Sequence, residues 1–238
     1  MINSKILTQY PQCDRSFVAG NKLSEARIKH LYPIQPTFVQ EQRQSESDLQ
    51  AKVREQVQQG KYAEAISVLS QLIARQPDNA AHYNNRGLLH FKNHQFMQAL
   101  ADYNQALELD PRLDSAYNNR ANYYAAVGDL AAAIADYDQA LDYNPANLRA
   151  RINLAIAWRE LGMYDLALES LDLALMLGQR YQGRICSERG RTYHLRGDWN
   201  CAIADYRRAL CLLQMEQGSV LHSQRVQNWL NELLEPLS

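Results

Sequence analysis

The chain has 238 residues, 46% of them hydrophobic and 21% charged, and its formal net charge is −1. This composition excludes a disordered, collagen-like or disulfide-stapled chain and leaves enough apolar side chains for a large core. A net charge so close to zero also argues against a general nucleic-acid binder. The four cysteines are Cys13, Cys186, Cys201 and Cys211. They show no CxxC or other metal-ligand spacing, which favours a reducing compartment.

The first 45 residues precede any repeating pattern. They lack the continuous apolar stretch of a signal peptide, and no run of about 18 apolar residues occurs in the chain. We therefore expect a cytoplasmic protein without membrane insertion, which a partner could hold at a membrane. Residues 24–32 are predicted to form a short helix, and residues 31–39 a Pro-containing extended stretch. The segment could be a flexible leader, a docking strand for a partner, or an occupant of the chain's own binding face.

From residue 46 onward, the sequence repeats itself at an interval of about 34 residues. The quartet Tyr-Asn-Asn-Arg occurs at 83–86 and again at 117–120, and Pro77, Pro111 and Pro145 fall at the same interval. Such self-similarity is the signature of a repeat architecture. It predicts five units, with one residue inserted before the last: 46–79, 80–113, 114–147, 148–181 and 183–216.

Each unit is predicted to form two amphipathic helices joined by a short turn. In the third unit, Tyr117, Ala121 and Tyr124 share one helical face, and Gly128 interrupts the pattern before the second helix. Alanines at the helix crossing allow two helices to approach closely. Helices of about 13 residues are marginal alone in water, so we expect them to stack on one another and form a solenoid.

One further helix is predicted after the repeats, within residues 219–236. Its apolar side comprises Val220, Val226, Trp229, Leu230 and Leu233. Because the last repeat of a solenoid would otherwise expose a hydrophobic face, a capping helix is favoured over a docking helix for a partner.

The pattern resembles the tetratricopeptide repeat (TPR) family, whose helix-turn-helix unit of about 34 residues has small and aromatic residues at fixed places. The resemblance is clearest in units two, three and five, at Gly87, Ala99, Tyr103, Ala106, Pro111, Ala121, Ala133, Tyr137, Ala140, Pro145, Gly190, Gly197, Ala202, Tyr206 and Ala209. Units one and four depart from it at Leu69, Leu72, Arg151 and Gln179. The resemblance implies an all-α fold, a right-handed α-solenoid whose first helices line a concave groove.

Asparagines on the first helices are the main candidates for ligand contact. Asn85, Asn119 and Asn153 share one position in successive units. Three more asparagines lie beside them: Asn84, Asn118 and Asn122. A side-chain amide donates and accepts hydrogen bonds, so a row of amides can hold the main chain of an extended peptide. The resemblance to TPR superhelices that bind peptides through an asparagine row supports this interpretation. Hydrogen bonding between neighbouring helices is the alternative role.

Arginines form a second candidate set. Residues 149–208 carry 10 arginines, no lysine and 7 acidic residues, whereas residues 46–148 carry 8 basic and 13 acidic residues. Four arginines are predicted to face the groove: Arg149, Arg159, Arg184 and Arg191. They would suit an acidic segment or a terminal carboxylate, and a solvated basic surface is the alternative.

Two other arginines end the repeated quartets. Arg86 and Arg120 are predicted to point away from the asparagine row and to pair with acidic residues of the adjoining repeat, such as Asp102 and Asp136. Their predicted role is structural.

The sequence contains no recognisable catalytic or phosphate-binding motif. His90 and His94 are four residues apart, but one occupies a packing position and the other a turn, so neither a metal nor a cofactor is expected. Cys186, Cys201 and Cys211 are predicted to be buried small hydrophobic residues. We do not expect an enzyme.

The sequence therefore predicts a non-catalytic scaffold, adaptor or assembly factor that binds an extended, acidic peptide segment of a protein partner. A regulator that senses a peptide or a metabolite is the alternative. The wording of the repeats, NNR followed by AIADYDQAL, also resembles cyanobacterial and plastid TPR proteins that help to assemble photosynthetic membrane complexes. The acidic middle of the chain argues against nucleic acid as a partner.

Overall fold

Short helices and tight turns alternate along the chain. The computed structural model describes residues 45–178, 181–215 and 220–235, so the predicted helix over 24–32 and the extended stretch over 31–39 lie outside the described residues. Within them, the helices are α1 (Glu46–Gln58), α2 (Tyr62–Arg75), α3 (Ala80–Lys92), α4 (Phe96–Leu109), α5 (Asp114–Ala126), α6 (Leu130–Tyr143), α7 (Leu148–Glu160), α8 (Tyr164–Leu177), α9 (Gln182–Arg196), α10 (Trp199–Met215) and α11 (Val220–Leu234).

The helices pack as five hairpins, each formed by an odd-numbered helix and the helix that follows it. The first helices of the hairpins start at equal intervals along the chain, at Glu46, Ala80, Asp114, Leu148 and Gln182. Helix α9 has 15 residues, whereas α3, α5 and α7 have 13 each. The prediction of an all-α solenoid of helical hairpins is confirmed.

Polar side chains define where several helices begin. Ser45 and Asp48 form a capping box in which the Ser45 hydroxyl accepts from the Asp48 amide at 3.2 Å and Asp48 accepts from the Ser45 amide at 3.0 Å. Asn79 and Asp129 accept from first-turn amides of α3 and α6 in the same way. Between α5 and α6, Gly128 has φ +87°, a conformation that side chains other than glycine adopt at a cost.

Small residues allow the two helices of a hairpin to cross closely. Ala99, at the start of α4, is fully buried, and so are its counterparts Ala133 and Ala202. At the facing position of α3, a Cβ on Gly87 would lie 2.8 Å from a ring carbon of Tyr103. The glycine therefore leaves room for a large buried ring, which is how these repeats combine close backbones with a filled core.

Successive first helices lie closer to each other than successive second helices do. Helix α3 contacts α5, α5 contacts α7, and α7 contacts α9, while the described second helices have no comparable contact with one another. The stack therefore curves with its first helices on the inside. We call the surface of α3, α5, α7 and α9 that faces away from the second helices the inner face.

A bidentate ion pair joins the two helices of three hairpins. The Arg120 Nε and Nη2 atoms donate to the two Asp136 carboxylate oxygens at 2.7 and 2.8 Å. The same geometry links Arg86 to Asp102 and Arg189 to Asp205. Hydrogen bonds to the aspartate raise the pKa of each arginine further above its usual range.

The predicted partners of Arg86 and Arg120 are correct, but the prediction that they lie on the adjoining repeat is wrong. Each aspartate lies on the second helix of the same hairpin as its arginine. It is the remaining Nη1 atom that reaches the preceding hairpin, at Ser70 Oγ (3.1 Å), Asn104 Oδ1 (2.8 Å) or Asp172 Oδ1 (2.6 Å). Each guanidinium therefore connects three helices.

The last helix covers the end of the stack. On α11, Val226 and Leu230 are buried against α10, and Trp229 and Leu233 are partly buried there, as predicted for a capping helix. Val220 is 78% exposed, so its assignment to the apolar side is wrong, because it begins the helix beyond this contact.

None of the described helices combines the length and the apolar character needed to cross a bilayer.

The cysteine prediction holds for one of three residues. Cys186 is buried on α9, but Cys201 and Cys211 are exposed. Helix α10 buries Ala202, Asp205, Tyr206, Ala209 and Leu213, a stripe at helical spacing that leaves the two cysteines on the solvent side.

Two histidines at the capping helix are partly buried: His194 on α9 and His222 on α11 itself. His222 Nε2 lies 3.0 Å from Ser187 Oγ, and His194 Nδ1 lies 3.2 Å from the Tyr206 hydroxyl. Burial is the main cause that lowers the pKa of both rings. Nearby charges are secondary: Arg191 and Glu232 act on His194, and Glu188, Arg184 and Arg225 act on His222.

We therefore expect the melting temperature to fall as the pH is lowered from about 7.5 to about 5.5, across the ordinary histidine pKa of about 6.5. Below that value the unfolded chain binds more protons than the folded chain, so stability decreases until the folded pKa values are passed. Thermal unfolding of the H194Q/H222Q variant should depend less on pH in this window. An equal decrease in the variant would contradict the assignment.

Candidate functional site

The asparagines of the inner face form two hydrogen-bonded chains that cross from one repeat to the next. In the first, Asn119 Nδ2 donates to Asn84 Oδ1 at 2.9 Å, Asn84 Nδ2 donates to Ser115 Oγ at 3.3 Å, and Asn118 Nδ2 donates to Asn119 Oδ1 at 3.3 Å. These bonds join α3 to α5. They match the alternative role considered for the asparagines, hydrogen bonding between neighbouring helices.

The second chain continues across α5, α7 and α9. Asn153 Nδ2 donates to Asn122 Oδ1 at 2.9 Å, and the Tyr137 hydroxyl donates to the same oxygen at 2.7 Å. Arg184 Nη2 then donates to Asn153 Oδ1 at 3.0 Å. An amide has two donor hydrogens and two acceptor lone pairs, so these contacts use part of its capacity and leave the rest for a ligand.

The six asparagines differ in how exposed they are to solvent. Asn84 and Asn118 are buried, Asn119, Asn122 and Asn153 are partly buried, and Asn85 is exposed. Asn118 Oδ1 is buried without a hydrogen-bond partner among the described residues. Unpaired buried carbonyl oxygens of this kind are costly, so a ligand donor or a water that reaches Asn118 would relieve the cost.

Four of these six asparagines line a cavity of about 500 Å³, which we call the amide cavity. Helices α3 and α5 contribute Asn84, Asn85, Asn118 and Asn119, and the start of α7 contributes Arg149. Tyr181, the residue that precedes α9, completes the rim of the cavity. The structure thus brings asparagines of two repeats together with one arginine of a third.

The four predicted arginines differ in how much of their charge is free. Arg159 forms a largely buried ion pair with Glu188 at 2.8 Å. Arg191 contacts Glu232 at 3.3 Å and lies 5.3 Å from the centre of the Trp229 ring.

Arg149 and Arg184 have no carboxylate partner among the described residues. Arg149 is exposed and its Nε donates to the Tyr181 hydroxyl at 3.2 Å, while Arg184 donates to Asn153. Of the four, these two are therefore the ones able to attract an anionic group on a ligand.

The structure contains a second cavity, which the sequence analysis missed and which includes residues of a second helix. It also measures about 500 Å³ and lies where α5, α6 and α7 meet, and we call it the apolar pocket. Its walls include Ala125, Leu130, Ile156 and Ala157, and polar groups of Asn122, Tyr137 and Glu160 stand around them. Comparing the sizes of side chains at matched positions of the repeats could have indicated this cavity from the sequence.

The residues considered for metal binding do not form a ligand set. His90 Nδ1 lies 2.6 Å from Gln95 Oε1, and its Nε2 lies 3.7 Å from Asp102 Oδ2. Across residues 45–178, 181–215 and 220–235, no group of three or more histidine, cysteine or acidic side chains could hold a metal ion.

Comparisons with known proteins place these repeats in a familiar class. Two family models, both described as "Tetratricopeptide repeat", match the chain, one at residues 51–114 and 85–138 and the other at residues 124–183. No curated protein matches it. Together the two models span more than half of the chain.

Several solved structures share the fold. A thermophilic TPR protein in Thermus thermophilus is 19% identical with a TM-score of 0.65, and the match covers 80% of this chain and 99% of that one. A tetratricopeptide repeat protein from Parabacteroides merdae is 19% identical with a TM-score of 0.62, covering 79% and 73%. MamA from Desulfovibrio magneticus RS-1 is 15% identical with a TM-score of 0.60, covering 72% and 96%.

Proposed function

The chain belongs to the tetratricopeptide repeat family, and we propose that it is a non-catalytic adaptor that binds an extended segment of a protein partner along its inner face. The observation that carries the proposal is the amide cavity, where side chains of three successive repeats surround one open space. Its amides offer both donors and acceptors, which is what the main chain of an unpaired peptide requires. The cavity opens to solvent, which favours a chain segment over an enclosed small metabolite.

The charges of the inner face favour an acidic segment. Arg149 stands at the rim of the amide cavity, and Arg184 lies beside Asn153 on the next first helix. With no carboxylate of the described chain to neutralise them, both arginines are available to a carboxylate of the partner. The finer proposal is therefore a segment with an aspartate, a glutamate or its own terminal carboxylate at this place.

Selection of peptides from a random library on the immobilised protein tests the proposal, followed by affinity measurements on variants. Asn85 is the most suitable amide to remove, because it is exposed and its side chain has no hydrogen bond to another described residue. We expect N85A to weaken binding by about 0.5–1.5 kcal/mol. R149A should weaken it by up to about 1 kcal/mol, because water screens an ion pair at an exposed arginine. Replacing Asn119 or Asn153 would also break contacts between repeats, so those variants would confound binding with stability.

Matched controls are available on the second helix of the fifth hairpin. Asn200 and Arg208 are exposed there, on α10. N200A and R208A should leave the affinity unchanged. Peptides that bind equally well to N85A, R149A and wild type would overturn the proposal, and peptides without acidic residues that still require Arg149 would overturn its acidic part.

A further inference from the structure

The apolar pocket exists because the third hairpin has smaller side chains than the others at two matched positions. At the end of the first helix, Ala125 stands where the second, fourth and fifth hairpins have Phe91, Arg159 and His194. At the start of the second helix, Leu130 is the single aliphatic residue in the series Tyr62, Phe96, Leu130, Tyr164 and Trp199. The two smaller side chains lie side by side at the wall of the apolar pocket.

The second hairpin shows what occupies this space. There, the Phe91 and Phe96 rings meet edge to face with their centroids 5.5 Å apart, and Phe91 packs against the cluster of Ala99, Tyr103 and Tyr123. The third hairpin replaces this ring pair with Ala125 and Leu130, and the apolar pocket lies beside them. The apolar pocket therefore lies where the second hairpin has the Phe91 ring.

Among the described residues that line the apolar pocket, the one charged side chain is acidic. Glu160, at the end of α7, has a side chain that is 58% exposed. Its nearest described cation is Arg159 Nη2 at 3.7 Å, but that guanidinium already binds Glu188 at 2.8 Å. The mouth of the pocket is thus suited to a lysine or arginine next to the ring that enters it.

We propose that the apolar pocket takes a phenylalanine side chain of the partner segment, followed by a basic residue that pairs with Glu160. The inserted ring replaces the one that Phe91 supplies in the second hairpin. The inference rests on the proposed function in one respect, that the ring belongs to the bound segment. The amide cavity binds the main chain and an acidic group of the partner. The apolar pocket adds sequence specificity, because it selects a Phe-Lys or Phe-Arg pair.

The distance between the two sites sets the spacing of these elements in the partner. Arg149 and Ile156 are seven residues apart on α7, about 10 Å at a helical rise of about 1.5 Å per residue. An extended segment covers this distance in about three residues. The partner motif is therefore an acidic residue and a phenylalanine about three positions apart, with the basic residue next to the phenylalanine.

Three small probes test the pocket even before a partner is identified: N-acetyl-Phe-Lys-amide, N-acetyl-Ala-Lys-amide and N-acetyl-Phe-Glu-amide. Methyl NMR of the full chain reports binding through the Leu130 and Ile156 methyl groups. Because a buried phenyl ring removes much more apolar area than a methyl group, we expect the Phe-Lys probe to bind at least about ten-fold more tightly than the Ala-Lys probe. Exchanging lysine for glutamate should weaken binding by about two- to five-fold.

The A125F variant restores the ring found in the second hairpin and should abolish the shifts caused by the Phe-Lys probe. A126F is the matched control, since Ala126 is the exposed neighbour outside the pocket and should leave binding unchanged. If A125F fails to fold by circular dichroism, L130F replaces it, because the other hairpins carry an aromatic residue at that position. E160Q should remove the preference for lysine over glutamate.

Equal binding of the Phe-Lys and Ala-Lys probes, or unchanged binding to a folded A125F protein, would overturn the inference. Such a result leaves the proposed function standing if library peptides still depend on Asn85 and Arg149. Conversely, selective binding of the Phe-Lys probe, combined with library peptides that ignore those two residues, supports the pocket and contradicts the proposed function.

Discussion

Replacing Asp136 with alanine is expected to lower the free energy of unfolding by about 3 kcal/mol, the lower end of the range for breaking a buried ion pair. Asp136 is buried and accepts two hydrogen bonds from Arg120, whose side chain is 21% exposed. Without the carboxylate, the guanidinium keeps its contact with Asn104 but loses its counter-charge inside the hairpin. Urea unfolding of D136A and wild type measures the difference.

The chain contains its own control for this prediction. In the fourth hairpin, Leu154 and Ser170 occupy the places of the arginine and the aspartate, and Ser170 Oγ donates instead to the Arg151 carbonyl. The R120L/D136S variant copies this uncharged pair into the third hairpin. Because well-packed apolar replacements of buried ion pairs are often neutral, we expect it to lie within about 1 kcal/mol of wild type. A double variant as unstable as D136A would show that the pair itself stabilises the fold.

The repeat architecture could be predicted from sequence because the same packing problem recurs in every unit. Each crossing needs a small residue next to a large one, and Ala99 with Tyr103 or Ala133 with Tyr137 meet that need at a fixed interval. Stacking follows from this repetition, since no single hairpin buries its apolar face alone. The capping helix was predictable for the same reason, from the exposed end that it must cover.

The ion pairs were only half predictable. Arginine and aspartate recur at one constant separation, at 86 and 102, at 120 and 136, and at 189 and 205. That recurrence indicates a pair, and it could have identified Arg189, which the sequence analysis did not single out. It does not indicate whether the partner lies across the turn or across the repeat boundary, because residues at both places come close to the arginine. In the structure, each guanidinium contacts its aspartate across the turn and a polar side chain across the repeat boundary.

The inner face was less predictable than the fold. The spacing of Asn85, Asn119 and Asn153 indicates a shared face, but not how far apart successive first helices lie. That distance decides whether an amide reaches its neighbour, as Asn119 reaches Asn84, or stays exposed, as Asn85 does. The role of these asparagines in holding the main chain of a peptide stays a prediction. The cavities were missed because space is created by residues that are smaller than their counterparts, which a search for conspicuous side chains overlooks.

The second large effect is expected at Tyr206, whose replacement with alanine should cost about 3–5 kcal/mol, as for other large buried aromatic residues. Tyr206 is fully buried, its ring lies 6.0 Å from the Trp229 ring, and burial raises the pKa of its hydroxyl to about 12. Truncation leaves a cavity beside Gly190, where even a Cβ would lie 2.8 Å from the present ring. Tyr143, which is 42% exposed, provides the control, and Y143A should change stability little.

Hydrogen exchange measured by mass spectrometry should show where the Y206A variant loses its stability. Because each hairpin of a solenoid contacts only its neighbours, the loss should begin in α9, α10 and α11, while α1 to α6 keep their protection. Loss of the Trp229 contact would release the capping helix first, since α11 packs on α10 and has no following helix among the described residues. A uniform loss of protection along all five hairpins would contradict this view, because it would require the stack to unfold as one cooperative unit rather than from the end that Tyr206 holds closed.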